Sequence, residues 1–502
     1  MSMNPVSSSA YSAAVSSARA RWLSLPRLAL GVSERRLLLA LGDLAAVNLA
    51  LLAALAIRQG TIIPRYEPTI VPWWLQALWH VVLTALWLLV ASVFDVYDLP
   101  LAANQRRSLP SACAAAVVAV TIYFFVPYIT PSMPVRRLEA LTLPLAAVIG
   151  VAVWRTIYTL LLLRPGFYTR ALVVGAGWAG ATLTRAVHAG SDAVGQPPSG
   201  LGYQIIGFVD DDLTKQGMEL EGARVLGNRA DLVRLARELR PDELVVAITH
   251  PETIHFDLFA AILACRELGI PTTSMADVYE RITGRIPVEH AGRNLYVVLP
   301  IRQPPTQRLY IASKRLLDLV VGLLGCSLLL CLIPLAWLVN RLTSPGPLFY
   351  WQERVGQGGR RFRVVKFRSM VVDAEAGTGA VWAAEADPRV TPLGRVLRRT
   401  RLDELPQCWN ILRGDMTFIG PRPERPEFVE ELAQEIPFYR IRHAMKPGLT
   451  GWAQVRYRYG ASVEDALIKL QYDLYYIKHQ NLLLDLEILA KTVAVVLGLR
   501  GR

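Results

Sequence analysis

The sequence predicts an integral membrane protein that combines α and α/β architecture. We expect a four-helix transmembrane region, a Rossmann-like parallel-sheet domain and a largely α-helical C-terminal domain. The 502-residue chain is 53% hydrophobic and only 19% charged, which is too apolar for an ordinary soluble protein of this size. Before residue 165 the chain contains several apolar segments. Their lengths are close to roughly 20 residues, which is the length of a helix that crosses a bilayer. Strand-like and helix-like segments then alternate from about residue 168.

The N-terminal part divides into a tail and the apolar segments. Residues 1–34 are rich in serine, alanine and arginine without a sustained apolar run, so we expect a disordered basic tail. Residues 35–165 form the predicted transmembrane region. Arg35 and Arg36 precede the first span and favour a cytoplasmic N-terminus, to which an even number of crossings returns the chain. The predicted spans are 37–57, 73–97, 111–129 and 137–163.

Two polar side chains, Asp43 and Asn48, fall inside the first predicted span. Polar groups are costly in lipid, so both are expected to face another helix. Interhelical packing is the favoured interpretation, and a proton or substrate pathway is the alternative.

Residues 166–305 predict a Rossmann-like cytoplasmic domain. The buried strand at 171–174 leads into G-x-G-x-x-G, formed by Gly175, Gly177 and Gly180, and then into a helical segment. The acidic residue expected about 20 positions later is missing, since the nearest acidic group that follows a strand is Asp210-Asp211-Asp212, about 30 positions past Gly180. The hypotheses are a degenerate domain that binds a nucleotide for regulation, one that supports a dimer, and a working NAD enzyme. The other predicted strands are 203–209, 243–248 and 295–299, with helices at 229–239 and 256–268.

The chemistry is concentrated between residues 395 and 425. The adjacent carboxylates Asp403 and Glu404 follow a cluster of arginines that includes Arg398, and Arg422 stands between two prolines in G-P-R-P. Guanidinium groups clamp phosphate oxygens, and a divalent cation can bridge carboxylate to phosphate. Pro406 suits a first helical turn, which would place both carboxylates near the positive end of a helix. A surface ion-pair cluster is the simpler alternative.

These motifs resemble those of the bacterial polyprenyl-phosphate hexose-1-phosphate transferases. The resemblance rests on L-D-E-L-P-Q, N-I-L-R-G-D-M and G-P-R-P, and it extends over roughly the last 190 residues. Further matching motifs are S-P-G-P-L-F-Y-W-Q-E-R-V-G at 344–356, K-F-R-S-M at 366–370, D-P-R-V-T at 387–391 and K-P-G-L-T-G-W-A-Q-V at 446–455. Four spans and a Rossmann-like domain ahead of this region are similar to the long form of the family.

The resemblance implies transfer of a hexose-1-phosphate from a UDP-sugar to undecaprenyl phosphate, through a covalent aspartyl phospho-sugar intermediate. Asp403 would be the nucleophile, and Glu404 a Mg²⁺ ligand or a proton-transfer partner. It also implies exopolysaccharide or capsule synthesis, a homodimer, and a multi-pass protein of the bacterial inner membrane with a cytoplasmic catalytic domain. The phosphate-binding residues would be Lys366, Arg398 and Arg422, with Gln352 and Arg354 as weaker candidates.

The C-terminal domain, residues 306–502, begins with an apolar segment that follows a polar linker predicted at 301–313. The apolar run at 316–339 is long enough for a fifth crossing, but that would separate the domain from cytoplasmic nucleotide-sugars. Pro334 removes a helical hydrogen bond and predicts a kink. The resemblance therefore implies a re-entrant helix at 315–340, which returns to the cytoplasmic face. Helices are also predicted at 462–479 and 481–499.

Other classes of function would require different sequence features. A membrane-anchored NAD(P)-dependent nucleotide-sugar modifying enzyme would need a Tyr-x-x-x-Lys pair, and none occurs between 168 and 305. A non-catalytic scaffold for polysaccharide assembly would tolerate loss of both carboxylates. The formal net charge of +13 suits anionic lipid, phosphate-bearing substrates or nucleic acid, but no nucleic-acid-binding module accompanies it. The five scattered cysteines have no metal or disulfide spacing.

Overall fold

A computed structural model provides the structure of the protein. It describes residues 31–58, 72–127, 129–131, 137–162, 167–188, 202–249, 254–290, 297, 307–372, 374, 387–457, 460 and 462–497. The predicted disorder of residues 1–30 and most of the strand predicted at 295–299 lie outside these residues. The first helix already begins at Val32, so the last residues of the predicted tail are helical.

Helices occupy all of the predicted spans, with shifted ends. Within the described residues, five helices are long and apolar enough to cross a membrane, the fifth being Gln307–Thr343. Their apolar side chains are largely exposed at the surface of the molecule, as expected of helices that face lipid. The chain is therefore a membrane protein. The helices of the N-terminal bundle are Val32–Arg58, Trp73–Val93, Gln105–Phe124 and Thr142–Ile157, the last continued by a π-helical turn at Tyr158–Leu162, with short helices at Leu99–Ala103 and Arg137–Ala140.

The polar side chains of the first span do face other helices. Asp43 is fully buried and forms an ion pair with Arg155 at 2.5 Å between Oδ2 and Nη2. Asn48 donates to Thr84 at 3.0 Å, and its Oδ1 lies 2.7 Å from Nδ1 of His80. The prediction that Asp43 and Asn48 pack between helices is confirmed by these contacts.

The middle domain has a doubly wound sheet. The strands are β1 Thr169–Val174, β2 Tyr203–Val209, β3 Glu219–Leu220, β4 Ala223–Gly227, β5 Glu243–Val246 and β6 Thr272–Ser274. The spatial order is β3-β4-β2-β1-β5-β6, in which only the β3–β4 pair is antiparallel. The five parallel strands therefore follow the order typical of a Rossmann-like fold, and the G-x-G-x-x-G loop leaves β1 beside the switch point. The helices are Trp178–His188, Leu232–Leu239, Phe256–Glu267 and Met275–Thr283.

Two contacts describe the glycine loop. Asp210 follows β2, and its carboxylate accepts a hydrogen bond at 2.7 Å from the backbone N–H of Ala176 inside the loop. Gly180 is required by close packing, because a Cβ there would stand 2.3 Å from the carbonyl oxygen of Gly175. Strands β3, β4 and β6 were not predicted.

The C-terminal domain surrounds a two-stranded antiparallel hairpin and a small parallel pair with helices. The hairpin is formed by β7 Phe349–Val355 and β8 Arg361–Phe367, and the parallel pair by β9 Thr417–Ile419 and β10 Gly448–Thr450. The predicted helices at 462–479 and 481–499 are confirmed with small shifts in their bounds. The α-helices are Gln307–Thr343, Pro392–Arg399, Cys408–Arg413, Pro426–Glu435, Trp452–Arg456, Val463–His479 and Leu482–Leu497, and 3-10 helices occupy Leu402–Gln407 and Tyr439–Ala444.

The helix Gln307–Thr343, called here the apolar helix, contacts the rest of the C-terminal domain at both of its ends. It includes residues 307–313, so the prediction of a linker across 301–313 is wrong for those residues. Near its start Lys314 lies 3.4 Å from Asp485, and near its end Asn340 accepts a hydrogen bond from Arg368 at 2.9 Å. Pro334 lies inside it, as predicted.

The C-terminal domain also docks on the two units that precede it. Buried Glu280 of the middle domain pairs with Lys478 and His479, each at 2.8 Å. Arg456 reaches Asp98 at 3.3 Å, in the segment that follows the second span. The helix Trp452–Arg456 therefore lies between the middle domain and the membrane bundle.

Candidate active site

The paired carboxylates lie in the first turn of the 3-10 helix Leu402–Gln407, which runs directly into the α-helix Cys408–Arg413. Both carboxylates therefore lie near a helix start, as predicted. Pro406 is the fifth residue of the 3-10 helix and precedes the α-helix, so the prediction that it occupies a first helical turn is wrong. Arg401 precedes the turn in the left-handed conformation, with φ of 60°. Asp403 is half-buried and lines a large cavity, whereas Glu404 is buried.

The hairpin carries Lys366 to the carboxylates. Its Nζ lies 3.1 Å from Oε1 of Glu404. The side chain of Asn410 fixes the two elements together, because it accepts a hydrogen bond from the N–H of Val365 at 3.2 Å and donates to the carbonyl of Arg363 at 2.8 Å. Asn410, in the N-I-L-R motif, thus ties the helix after the carboxylates to the strand that bears the lysine.

The G-P-R-P segment supplies a second cation. Arg422 Nη2 lies 2.9 Å from the same Glu404 oxygen that Lys366 contacts. The segment packs closely against the K-P-G-L-T-G-W motif, since a Cβ on Gly448 would lie 2.1 Å from the N of Gly420, and one on Gly451 would lie 2.2 Å from its carbonyl oxygen. These glycines permit two backbones to approach, which holds Arg422 at a fixed distance from Glu404.

The other predicted phosphate-binding residues also line the cavity, with partners of their own. Arg398 donates to the hydroxyl of Ser369 at 2.9 Å. Arg354 donates to the carboxamide oxygen of Gln352 at 2.5 Å and to the carbonyl of Pro423 at 3.2 Å. Gln352 and Arg354 therefore support the G-P-R-P segment in this structure, whereas Lys366 and Arg422 contact a carboxylate directly.

The environment separates the two carboxylates electrostatically. Burial, and then the neighbouring charge of Glu404, raises the pKa of Asp403 to about 6, against the lowering effect of Lys366, Arg398 and Arg422. Burial alone would raise the pKa of Glu404, but Arg422 and Lys366 outweigh it and hold that pKa well below its usual range. The pair therefore holds one firmly ionised carboxylate and one that titrates just below neutral pH.

The cavity around Asp403 has a volume of about 740 Å³, within the usual range of small-molecule sites. One part of its wall comes from the hairpin and the residues after it, including Tyr350, Arg368 and Met370. This part adjoins the apolar helix, because Phe349 and Phe367 pack with Leu329 and Ala336. The other part comes from the helices beyond residue 426, which dock on the middle domain.

Sequence reasoning missed three polar residues of this cavity. Arg442 and Asp473 form a buried ion pair at 2.8 Å, and Arg442 also donates to the carbonyl of Arg422 at 3.1 Å. Gln454 lines the cavity on the short helix Trp452–Arg456. Gln454 lies inside a recognised motif, K-P-G-L-T-G-W-A-Q-V, which could have pointed to it. Arg442 and Asp473 carried no comparable signal.

Within the described residues no three acidic, histidine or cysteine side chains form a metal-binding group. Mg²⁺ is commonly held by only one or two carboxylates together with waters and substrate phosphates. Asp403 and Glu404 are a donor set of that kind, so the residues present fit a magnesium ion shared with a bound diphosphate.

Paired carboxylates, several cations and a large cavity beside an apolar helix define a membrane protein with a site for a phosphate-bearing ligand. The family model described as bacterial sugar transferase matches residues 309–499. A UDP-glucose:undecaprenyl-phosphate glucose-1-phosphate transferase of Caulobacter vibrioides is 41% identical over 186 residues, which are 37% of this chain and 69% of the relative. The chain belongs to this bacterial sugar transferase family.

Other relatives are named for different sugars. A UDP-N-acetylgalactosamine-undecaprenyl-phosphate N-acetylgalactosaminephosphotransferase of Aeromonas hydrophila is 42% identical over 234 residues, 46% of this chain and 54% of the relative. A UDP-galactose-lipid carrier transferase of Erwinia amylovora is 33% identical over 334 residues, 60% and 64% respectively. The matches thus span less than two thirds of these two relatives.

Proposed function

We propose that the protein transfers a hexose-1-phosphate from a UDP-sugar to undecaprenyl phosphate. One observation carries the proposal: Asp403 lines a cavity beside Glu404, Lys366 and Arg422, at the place where the domain meets the apolar helix. A site at this boundary suits one water-soluble and one lipid substrate. The names of the relatives support the same pair of substrates.

The transfer is proposed to proceed in two steps at one phosphorus. An oxygen of the ionised Asp403 attacks the phosphorus that bears the sugar, and the bond to the bridging oxygen breaks, so that the nucleoside monophosphate leaves with the electron pair. A phosphate oxygen of undecaprenyl phosphate then attacks the same phosphorus. The bond to Asp403 breaks, the carboxylate is regenerated, and the product is undecaprenyl-diphosphate-sugar. Because the steps are separate, the two substrates need not be bound together.

The charges of the site fit these roles. Asp403 must be ionised to attack, and a pKa of about 6 leaves it mostly ionised at neutral pH while retaining more basicity than an ordinary aspartate. Glu404 stays negative and holds Lys366 and Arg422 in place, where they can neutralise phosphate oxygens. Arg398 adds a third cation on the cavity wall.

Magnesium is proposed as the cofactor. Glu404, with Asp403 until it reacts, would hold the ion together with the diphosphate of the donor. When bound, Mg²⁺ would neutralise charge on the phosphate oxygens.

We propose that the catalytic domain lies on the cytoplasmic face of the bacterial inner membrane, below four crossings and a re-entrant apolar helix. Contacts between the domain and both ends of that helix, at Lys314 and at Asn340, support this placement. A straight helix of 37 residues would be about 55 Å long, so a crossing would carry its ends to opposite faces. In a cysteine-free background, Ala312→Cys and Pro345→Cys should respond alike to an impermeant thiol reagent in intact cells. Labelling of one but not the other excludes the re-entrant arrangement.

The central test is turnover by full-length protein in nanodiscs, with a panel of UDP-sugars and undecaprenyl phosphate. Wild-type protein and the exposed control Glu431→Gln should transfer, and Asp403→Asn should lose at least about 1000-fold of the rate. Sustained turnover by Asp403→Asn contradicts the nucleophile assignment. The panel also identifies the sugar, which the relatives' names leave open among glucose, galactose and N-acetylgalactosamine.

Two further proposals concern the cellular setting. The reaction would be the first membrane step of exopolysaccharide or capsule synthesis, and the protein would act as a homodimer. Loss of the polysaccharide in cells carrying Asp403→Asn tests the first. The mass of the nanodisc-embedded protein tests the second.

A further inference from the structure

We infer that Gln454 contacts the nucleoside end of the donor substrate and helps to select its base. This inference rests on the proposed function, because it divides the same cavity into a lipid side and a nucleoside side. It adds a recognition residue that the chemistry at Asp403 does not require.

The first observation is an unsatisfied donor in the cavity wall. The Nε2 atom of Gln454 is buried and has no hydrogen-bond partner within the described part of the chain. Leaving a buried amide donor unpaired costs about 1–3 kcal/mol, so such a group in a ligand cavity indicates a ligand acceptor. Neighbouring polar groups of the same wall are already paired: the Tyr457 hydroxyl donates to Asp465 at 2.7 Å, and Lys469 donates to the carbonyl of Gly460 at 2.7 Å.

The second observation is that the helix bearing Gln454 is held at both of its ends. At one end, Trp452 Nε1 donates to the carbonyl of Gly284 at 3.1 Å. At the other, Arg456 contacts Asp98 at 3.3 Å and Glu487 at 3.3 Å. The amide is therefore presented from a fixed backbone, as expected of a recognition group rather than of a side chain that is free to turn away.

The third observation concerns which substrate reaches this part of the wall. The lipid phosphate must arrive beside the apolar helix, where Phe349 and Phe367 of the hairpin pack. Gln454 belongs to the other part of the lining, on helices that dock against the middle domain. In an in-line displacement the nucleotide departs on the side opposite to Asp403, and the lipid phosphate later attacks from that same side, so the two phosphates use one position in turn. The lipid chain extends from that position toward the apolar helix, which leaves the opposite wall to the nucleoside. The nucleoside is therefore the part of the donor assigned to Gln454.

The chemistry of this part of the wall suits a pyrimidine. Phe428, Tyr439 and Tyr457 supply aromatic surface in the cavity lining, and the Gln454 amide supplies a donor for a base carbonyl. Uracil offers a carbonyl oxygen at the position where cytosine carries an amino group. Gln454→Glu would replace the donor with an acceptor of the same shape, and so reverse this preference.

The test measures direct binding of UMP and CMP to full-length protein in nanodiscs, without turnover. Gln454→Ala should weaken UMP binding about 3–10-fold, and Gln454→Glu should lower the ratio of UMP to CMP affinity by at least about 10-fold. The exposed Gln434→Ala, on the helix Pro426–Glu435, is the matched control and should bind as wild type does. Unchanged thermal stability of each variant excludes unfolding as the cause.

Outcomes for the two proposals can be separated. If UMP binding is unchanged in both Gln454 variants while the KM values for different UDP-sugars change, Gln454 faces the sugar and the inference is wrong. An unchanged UMP-to-CMP ratio in Gln454→Glu also overturns it. If UMP binds as expected but no sugar phosphate is transferred, the proposed function fails while the nucleoside site stands.

Discussion

Arg442 donates a hydrogen bond to the backbone carbonyl of Arg422 at 3.1 Å, across 20 residues of chain. The same Nη2 atom of Arg442 lies 2.8 Å from Asp473, and its Nη1 donates to the Tyr439 hydroxyl at 2.7 Å. Arg442 is buried, so its charge depends on these partners. A buried ion pair thereby fixes the backbone from which Arg422 extends toward Glu404.

The first prediction concerns this positioning. Arg442→Lys keeps a charge beside Asp473 but cannot reach all of its partners at once, so Arg422 should lose its fixed direction. We expect kcat to fall about 10–100-fold, with Arg442→Lys retaining more activity than Arg442→Gln. The exposed control Arg440→Gln should behave as wild type.

The pH profile shows whether Arg442 acts through Arg422. A displaced Arg422 withdraws positive charge from the carboxylate pair, so the acid limb of kcat/KM should move to higher pH in Arg442→Lys. A purely structural defect would lower active protein without moving that limb, and that outcome contradicts the positioning role.

The second prediction is the pH dependence of the wild-type enzyme. Protonated Asp403 cannot attack phosphorus, and burial together with Glu404 raises its pKa to about 6 from an ordinary 3.8. We therefore expect the rate to be full above pH 7 and to fall on acidification through pH 6, about two units higher than for an exposed aspartate. Initial rates between pH 4.5 and 8 provide the measurement.

The companion variant Glu404→Gln tests the cause of that shift. Removing the neighbouring negative charge lowers the pKa of Asp403, because Glu404 is one of the influences that raise it. The residual activity of this variant should therefore have its acid limb at lower pH than wild type. A limb at unchanged pH would show that Glu404 does not influence the titrating group.

The third prediction concerns the proposed covalent intermediate. With radiolabelled UDP-sugar and no undecaprenyl phosphate, wild-type protein should retain sugar phosphate on the polypeptide, and adding the lipid should release it. Asp403→Asn should retain none, whereas Glu431→Gln should match wild type. Absence of label on quenched wild-type protein favours direct transfer in a ternary complex.

The fourth prediction concerns the contact between the apolar helix and the helix Cys408–Arg413. Gly325 meets the Cys408 side chain, since a Cβ on Gly325 would lie 2.2 Å from its Sγ. Gly325→Ala should lower the midpoint of thermal unfolding, because overpacking costs about 1–3 kcal/mol. Leu324→Ala, at a neighbouring exposed position, should have little effect in detergent.

A second substitution tests the contact itself. Cys408→Ala removes the Sγ atom, and the double variant Gly325→Ala with Cys408→Ala should recover part of the lost stability. Additive losses in the double variant would show that the two residues do not meet.

The sequence located the carboxylate pair and its cations because they occur in ordered motifs. Lys366 and Glu404 are 38 residues apart, and from the sequence only the family resemblance places them in one site. The structure shows that the hairpin and its hydrogen bond to Asn410 bring them together. Arg442 and Asp473 were missed because a buried ion pair in a helical region has no local pattern. Strands β3 and β6 have two and three residues, too few for alternation of polar and apolar side chains to be recognised.

Arg456 joins the helix that carries Gln454 to the segment that follows the second span, through Asp98. The consequence would be a fixed distance between the catalytic site and the plane of the membrane. A catalyst that serves a substrate confined to a plane needs its reactive group at one depth. In the proposed reaction this contact would let the helical bundle, and not the headgroup layer alone, set that depth. The four N-terminal helices would then hold Asp403 at the depth of the lipid phosphates.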